Sequence, residues 1–503
     1  MYLNKIKKIT IFGGGTSGWL TAAFLLNNLA VPTEIVLIEN SKQGPIGVGE
    51  GTQPLTAKFL SQCGIPPHLW MKDSNASFKY GVELVGWNND SYFVDNDNFT
   101  NAIIADDFFT SDYFIDRSYS EFAEWHPAYR LAKKNICQKY DDYLDVNLGM
   151  SPHDFGAVHF SAYAIIATIK KLIEKDITYI DTDIIEVESS DHGIQALIDS
   201  AGSQFTSDLF IDCSGFSSRL LEQELKVPFN SFSDYLLNDS AVMIRSQYTD
   251  PQSQCHPYTK ATAMDAGWRF TIPTFKDIGN GYIYSSDFIS EEDAEKELRT
   301  AISEYVSPAK HLKMKCGSHK EIAVKNVCAV GLAAGFVEPL EATGITFTTA
   351  AVSQIAAVLN QSGNVWGDHQ RANINHYFEF MTYEILAFVW AHYFYSSKND
   401  TEYWKQVHKQ KLENLPRLSR EILDMFIPEP KRFFNLTSYS MFNVVQWFSV
   451  LHAGGAYSNT QSNLTDKQKK YAEYFLETHN QRVKLAEEMF DNHYDYLTKW
   501  YSK

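Results

Sequence analysis

Ile6-Lys7-Lys8-Ile9-Thr10-Ile11-Phe12 runs straight into Gly13-Gly14-Gly15-Thr16-Ser17-Gly18, and Trp19-Leu20-Thr21-Ala22-Ala23-Phe24-Leu25-Leu26 follows at once. The first run suits a short buried strand, and the last has helical character. A second apolar run, Glu34-Ile35-Val36-Leu37-Ile38, ends in Glu39, 21 residues after Gly18. Strand, G-x-G-x-x-G turn, helix, strand and acidic residue, in that order, form the fingerprint of a dinucleotide site. Glycines at 13, 15 and 18 allow a tight turn and let a pyrophosphate approach the backbone N–H groups at the helix start. Thr16 and Ser17 lie on the same turn. Glu39 is placed to accept hydrogen bonds from the adenosine ribose. The first expected cofactor contacts are therefore Gly13, Gly15, Thr16, Ser17, Gly18 and Glu39.

Beyond the fingerprint, Ile177–Glu188 and Ile194–Ile198 flank the turn Ser189-Ser190-Asp191-His192-Gly193, which predicts a hairpin. Ser207–Gly215 reads as another buried strand entering a glycine turn. Stretches rich in Asn, Asp and Ser at Asn88–Asn98, Thr249–Gln254 and Ser458–Asn463 read as surface loops. After about Ala350 strand signals fade, and helical patterns with many aromatics take over. The expected architecture is an α/β dinucleotide-binding core over residues 1–350, with a helical, aromatic-rich portion over 351–503 covering the substrate. No second strand-G-x-G-x-x-G-helix unit is present. Any reducing equivalents would then arrive from a separate reductase.

Composition excludes several classes. With 44 Lys and Arg against 61 Asp and Glu, the chain has a formal charge of −17, which disfavours nucleic acid and anionic membranes as partners. The six cysteines are scattered without a C-x-x-C pair, and the histidines show no ligand spacing, so no metal is expected. Lys5, Lys7 and Lys8 before an apolar run imitate a signal peptide, but Gly13-Gly14-Gly15 interrupts it and no small-residue cleavage site follows. The apolar stretch Phe380–Tyr395 contains Glu384 and His392 and reads as a buried helix, not a membrane span. A cytoplasmic protein with free thiols is the expectation.

Four segments together resemble the flavin-dependent tryptophan halogenase family. They are the fingerprint continuing into Trp19; Gly47-Val48-Gly49-Glu50-Gly51-Thr52-Gln53-Pro54 with the following Asn75-Ala76-Ser77-Phe78-Lys79-Tyr80-Gly81; Gly267-Trp268-Arg269-Phe270-Thr271-Ile272-Pro273; and Gly331 to Ile345, reading GLAAGFVEPLEATGI. His392-Tyr393 and Glu402-Tyr403-Trp404 extend the pattern into the helical part. The resemblance implies a Rossmann-like FAD core of the flavin monooxygenase type. It also implies a reaction in which reduced FAD and O2 oxidise a halide (chloride, bromide or iodide) to hypohalous acid. That acid travels to a lysine and halogenates an electron-rich aromatic substrate. By the same resemblance Lys79 is the lysine and Glu341 the family glutamate. A carboxylate there would stabilise the developing cation, accept the ring proton, or hold Lys79 charged. Thr343 and Gly344 match the halide site. Trp268, Phe270, Ile272 and Pro273 would wall flavin from substrate, and Glu50, Gly51, Val187 and Leu332 would add to the FAD contacts.

The chain departs from the family pattern in three places. Phe270 replaces a second tryptophan, and Ala342 stands where many members carry serine. Ser438–Gly455, SYSMFNVVQWFSVLHAGG, lacks the paired tyrosines and glutamate that grip the backbone of free tryptophan. A buried zwitterion needs partners for both charges. A neutral indole, a phenol or a carrier-bound aromatic is the expected substrate. An FAD-dependent aromatic hydroxylase on the same core is the alternative, although a hydroxylase has no evident need of Lys79.

Overall fold

The strand Lys8–Phe12 sits centrally in a six-stranded sheet. Its order is Thr178–Asp181, Glu34–Glu39, Lys8–Phe12, Leu209–Asp212, Val327–Ala329, Ala323–Val324; all neighbours are parallel except the last pair. Such a sheet is covered on both faces, so Ile9, Ile11 and Ile35–Ile38 are all buried rather than alternating. The structure is a computed structural model that describes residues 4–42, 50–96, 110–138, 156–302, 307–427 and 440–502.

The helix Thr16–Asn28 follows the glycine turn and packs against the helices Ala162–Ile173 and Thr343–Ser362. A second, seven-stranded sheet has the order Lys310–Lys313, Ser240–Ser246, Ile278–Tyr284, Gly267–Pro273, Thr259–Met264, Gly81–Val85, Tyr92–Asp95. A small sheet of Glu50–Gly51, Ala157–Phe160 and Ser77–Lys79 is antiparallel throughout.

Two local expectations are corrected. Ile177–Glu188 is not one arm of a hairpin: Thr178–Asp181 adds a parallel edge to the first sheet, and only Ile184–Ser190 pairs with Gly193–Asp199. Asn88–Asn98 is not all surface loop, because Tyr92–Asp95 is a fully buried strand paired with Gly81–Val85. There the polar flanks outweighed four residues of strand character. Residues 97 and 98 lie outside the described set.

The helical part begins with Thr343–Ser362, which runs through the expected boundary at 350. It continues with Asp368–Phe394, Arg417–Phe426, Val444–Ala453 and Asp466–Met489. Residues 384–393 are buried on every side, as an apolar helix with no solvent face must be. The final helix, His493–Ser502, returns to the small sheet: the Tyr501 hydroxyl donates to the Ala76 carbonyl at 2.5 Å. No helix among the described residues is long and apolar enough to cross a membrane. All six cysteines are buried and unpaired with one another.

Candidate active site

The glycine turn forms a cradle whose spaces are set by backbone. Gly13 has φ +115°, and a Cβ there would lie 2.4 Å from the Cys213 carbonyl oxygen. A Cβ on Gly18 would sit 1.8 Å from the Gly13 oxygen. Gly15, by contrast, faces open space at the N-terminus of the helix that carries Thr16 and Ser17. Closure behind the turn and room before it fit a pyrophosphate on the helix N-terminus. Ser17 Oγ lies 2.8 Å from Thr348 Oγ1, which ties the fingerprint to the later helix. The turn Gly331–Ala333, which carries Leu332, presses on Ser17 closely enough to require glycine at 331.

Glu39 lies at the end of its strand, against the turn, since a Cβ on Gly14 would overlap its Oε2. Its Oε1 accepts from Tyr179 Oη at 2.7 Å and from Lys170 Nζ at 3.2 Å. One carboxylate oxygen is thus held by the protein and the other faces the cradle. Val187 is the buried residue of an otherwise exposed hairpin strand. These residues fit an adenine dinucleotide.

Lys79 closes the three-residue strand Ser77–Lys79 and is 1% exposed. Strand pairing explains this unusual burial for lysine. Ser77, Phe78 and Lys79 pair with His159, Val158 and Ala157, while Gly51 and Glu50 pair with His159 and Phe160 on the other edge. Thr52 extends that edge: its N–H donates to the Val158 carbonyl and its hydroxyl oxygen accepts from Val158 N–H. The Thr52 carbonyl is left to accept from Lys79 Nζ at 2.9 Å. Burial pushes the Lys79 amine down from 10.5 to about 8, and the negative charge of Glu341 opposes the drop. Burial also pushes the half-buried Glu50 carboxyl up to about 7.

Two histidines brace the strand. His159 Nδ1 donates to the Pro273 carbonyl at 3.1 Å, and its Nε2 accepts from Thr259 Oγ1 at 2.8 Å. Burial, with Lys79 next, holds it neutral, well below its usual pKa. His493 Nδ1 donates to the Cys255 carbonyl at 2.7 Å, and its Nε2 accepts the Phe78 N–H at 3.1 Å.

Glu341 ends the short 3-10 turn Pro339–Glu341 and is fully buried. Neither carboxylate oxygen has a hydrogen bond among the described residues. His392 Nε2 lies 3.3 Å from Oε1, and Tyr92 Oη lies 2.7 Å from His392 Nδ1. Gln53 Nε2 donates to the Glu341 backbone carbonyl at 2.5 Å. Ala342 follows in the left-handed region at φ 56°, a strained conformation for alanine. A Cβ on Gly51 would touch Ala342 Cβ at 3.4 Å, so the end of the Gly47–Pro54 segment lies against this turn. Residues 47–49 of that segment lie outside the described set.

Thr343 and Gly344 open the helix Thr343–Ser362. Among the described residues the buried hydroxyls of Thr343 and Thr346 have no hydrogen-bond partner, and Gly344 faces open space. Orphaned buried polar atoms are rare in proteins, and the two here leave room for an acceptor such as an anion.

Trp268, Phe270, Ile272 and Pro273 are buried on one strand, Gly267–Pro273. Trp268 Nε1 donates to Glu338 Oε2 at 2.9 Å, which also accepts from Asn238 Nδ2 and Tyr393 Oη. The Phe270 ring fills the space over Gly281. Trp268 and Phe270 are thereby fixed in place.

Sequence reasoning missed Tyr92, His159 and Asn238 as parts of the site, and quoted Gln53 and Glu338 without a role. The short apolar, aromatic and β-branched run Tyr92-Phe93-Val94 was the available signal for the first. Bonds joining residues 100 or more positions apart left none for His159 to Thr259 or Asn238 to Glu338.

A family model described as tryptophan halogenase matches residues 8–470. Tryptophan 6-halogenase SttH of Streptomyces toxytricini is 33% identical over 427 residues, covering 79% of this chain and 80% of the relative. Tryptophan 7-halogenase RebH of Lentzea aerocolonigenes is 30% identical over 424 residues, covering 80% and 78%. Among solved structures, SttH superposes with TM-score 0.86 at 26% identity over 98% of this chain and 100% of its own. A flavin-dependent halogenase from Xanthomonas campestris gives 0.85 at 25% identity over 99% of both chains. These matches favour halogenation over the aromatic hydroxylation that the same type of core would also accommodate. The chain belongs to the tryptophan halogenase family and is a flavin-dependent halogenase.

Proposed function

We propose that the enzyme uses O2 and a halide with reduced FAD to place hypohalous acid beside Lys79, where it halogenates an electron-rich ring of the indole or phenol type. The observation that carries this reading is Lys79 itself: a buried amine held by one carbonyl, near a buried carboxylate with no hydrogen bond. Bound reduced FAD supplies the electrons for O2 activation, and a separate flavin reductase supplies the reduced cofactor.

The remaining work belongs to the chain. Gly13, Gly15, Gly18, Thr16, Ser17 and Glu39 hold the dinucleotide, and Glu50, Gly51, Val187 and Leu332 complete its contacts. Trp268, Phe270, Ile272 and Pro273 form the partition that separates flavin from substrate. Thr343 and Gly344 hold the halide at a helix N-terminus. With a pKa of about 8, Lys79 is mainly ammonium near neutral pH and about one-tenth amine. The ammonium donates a hydrogen bond to hypohalous acid, and the amine takes the halogen as a haloamine; either form confines the oxidant. As the ring carbon gains halogen, its proton leaves to Glu341.

The named relatives act, by their names, on tryptophan, which makes free tryptophan the second reading. Against it stands the segment 440–455, where His452 is the one titratable residue and its Nε2 is bound to the Phe114 carbonyl. Glu384, the buried carboxylate that reaches this segment, is engaged by Ser440 Oγ and by Met441 N–H. Neutral aromatics, free or presented on a carrier protein, suit that surface better than a zwitterion.

The test is mass spectrometry of products from a panel of indoles, phenols and L-tryptophan with FAD, a flavin reductase, NADH and bromide. A brominated product absent with Lys79→Ala supports the reading. An oxygenated product formed equally by both proteins overturns it, and preferential bromination of L-tryptophan selects the second substrate.

A further inference from the structure

The carboxylate of Glu341 is buried, and titratable groups from three other elements interact with it. These are Lys79 from the small sheet, His392 from the helix Asp368–Phe394 and Tyr92 from the edge strand of the seven-stranded sheet. Lys79 is already assigned to the oxidant. His392 and Tyr92 have no role in the chemistry described so far, yet each is at most 3% exposed and they are joined by a 2.7 Å hydrogen bond.

The His392 ring is clamped. Tyr92 stacks on it at 5.9 Å and 19°, Phe388 meets it edge-on at 5.2 Å, and Trp87 does so at 6.3 Å. Two neutral tautomers fit this clamp, and the neighbours discriminate between them. If His392 carried its proton on Nδ1, a bare Nε2 lone pair would lie 3.3 Å from the Glu341 carboxylate, acceptor beside acceptor, in a buried site. If the proton is on Nε2, that N–H lies beside Oε1 at 3.3 Å, out of line for a hydrogen bond among the described residues, and Nδ1 accepts from the Tyr92 hydroxyl. Burial and the nearby Glu341 charge hold the Tyr92 phenol well above its usual pKa, so its donor proton is retained. Among the described residues that hydroxyl has one hydrogen-bond partner, His392.

We propose that Tyr92 and His392 are a positioning pair for Glu341. The Tyr92 hydroxyl fixes His392 as the Nε2–H tautomer, and that N–H, 3.3 Å from Oε1 but not aligned with it, closes onto this oxygen in the Michaelis complex so that the other takes the ring proton. The inference rests on the halogenation reading. In the step it serves, the aryl C–H bond breaks, its electron pair restores the aromatic ring, and the proton bonds to the Glu341 oxygen that His392 does not hold. The logic is that of a base oriented by a second group, which is in turn held by a third.

Nitrogen-15 NMR of histidine-labelled enzyme tests the pair, with the His392 signal assigned by its loss in His392→Gln. The Nε2–H pattern is expected in the wild type and is lost in Tyr92→Phe. Turnover is read alongside. Tyr92→Phe lowers kcat about tenfold at unchanged KM, less than the roughly 100-fold or more of losing an acid–base group, because Glu341 itself remains. His392→Gln, whose side-chain amide is also a donor, retains more activity than His392→Leu. A wild-type His392 protonated on Nδ1 or on both nitrogens overturns the proposal. So does a Tyr92→Phe enzyme with unchanged tautomer and kcat, or equal activity in the two His392 variants. Failure of the wild type to brominate any substrate in the panel refutes the halogenation reading instead, and the tautomer measurement still decides the geometry.

Discussion

Burying Lys79 has a thermodynamic consequence that can be measured without substrate. Its amine titrates at about 8 in the folded protein against 10.5 in an ordinary setting. The difference corresponds to about 3 kcal/mol by which burial disfavours the charged form. Below about pH 7 folded and unfolded chains both carry this proton, and the full cost weighs on the folded state. Between about pH 8 and 10.5 the unfolded chain holds the proton while the folded one has released it, so folding stability rises with pH through that window. Lys79→Met keeps similar length and removes the titration. Urea unfolding followed by tryptophan fluorescence, for wild type and variant in parallel, isolates the effect. Titrating groups remote from Lys79 cancel in the difference between the two proteins, and the lost hydrogen bond to the Thr52 carbonyl is an offset that drops out of the pH dependence of that difference. The wild type gains about 3 kcal/mol on the variant between about pH 7 and 10.5. A gap that does not change with pH means that Lys79 titrates as in water. The buried-amine argument, and the neutral fraction on which the haloamine route depends, would then both fail.

Further outcomes follow from single contacts. Gly18→Ala forces a methyl against the Gly13 carbonyl and weakens FAD binding at least about tenfold in fluorescence titration, through the tight turn it distorts. Thr343→Val removes a buried hydroxyl with no partner among the described residues. The apparent KM for bromide rises about tenfold while the melting temperature holds or rises, since about 1 kcal/mol of unmet desolvation goes with the hydroxyl. A fall in melting temperature with unchanged halide dependence would show that the hydroxyl serves packing alone. Glu338→Gln loses the charge-assisted bonds to Trp268, Asn238 and Tyr393 and destabilises the fold by about 2–4 kcal/mol in urea unfolding.

The fingerprint was legible because its physics is local: strand, turn and helix are contiguous, and each glycine answers to a neighbour or to open space. Glu39 was legible as the residue at the strand end, but not the hold of Tyr179 and Lys170 on one of its oxygens, which comes from residues more than 130 positions away. Lys79 could be singled out only through its flanking motif. A three-residue strand has no periodicity to read, and its burial depends on Ala157–Phe160 and Glu50–Thr52 closing over it. Tyr92 went unseen because Asn88–Asp90 and Asn96–Asn98 made the stretch look like loop, whereas four buried residues between them complete a sheet. Tertiary pairing overrode local polarity there.

The same non-local assembly explains why so many unfavourable features meet in one place. A buried amine, a buried carboxylate without a hydrogen bond, two orphaned threonine hydroxyls and a left-handed alanine fall within Lys79 and residues 341–346. Each opposes folding on its own terms, by about 1–3 kcal/mol. They persist because the surroundings over-determine them: the Glu338 cluster pins one end of the turn, Gln53 holds the Glu341 carbonyl, and the helix Thr343–Ser362 fixes the other end. Exclusion of water is the return. In the reaction proposed, a diffusible oxidant in a wet site would be lost to solvent, whereas in a dry one the Lys79 ammonium and the Glu341 carboxylate would act with little screening. Removing any one of these strained features by an otherwise stabilising substitution should therefore improve the fold and harm turnover together, and the wild-type cost of Lys79 measures the strength of that coupling.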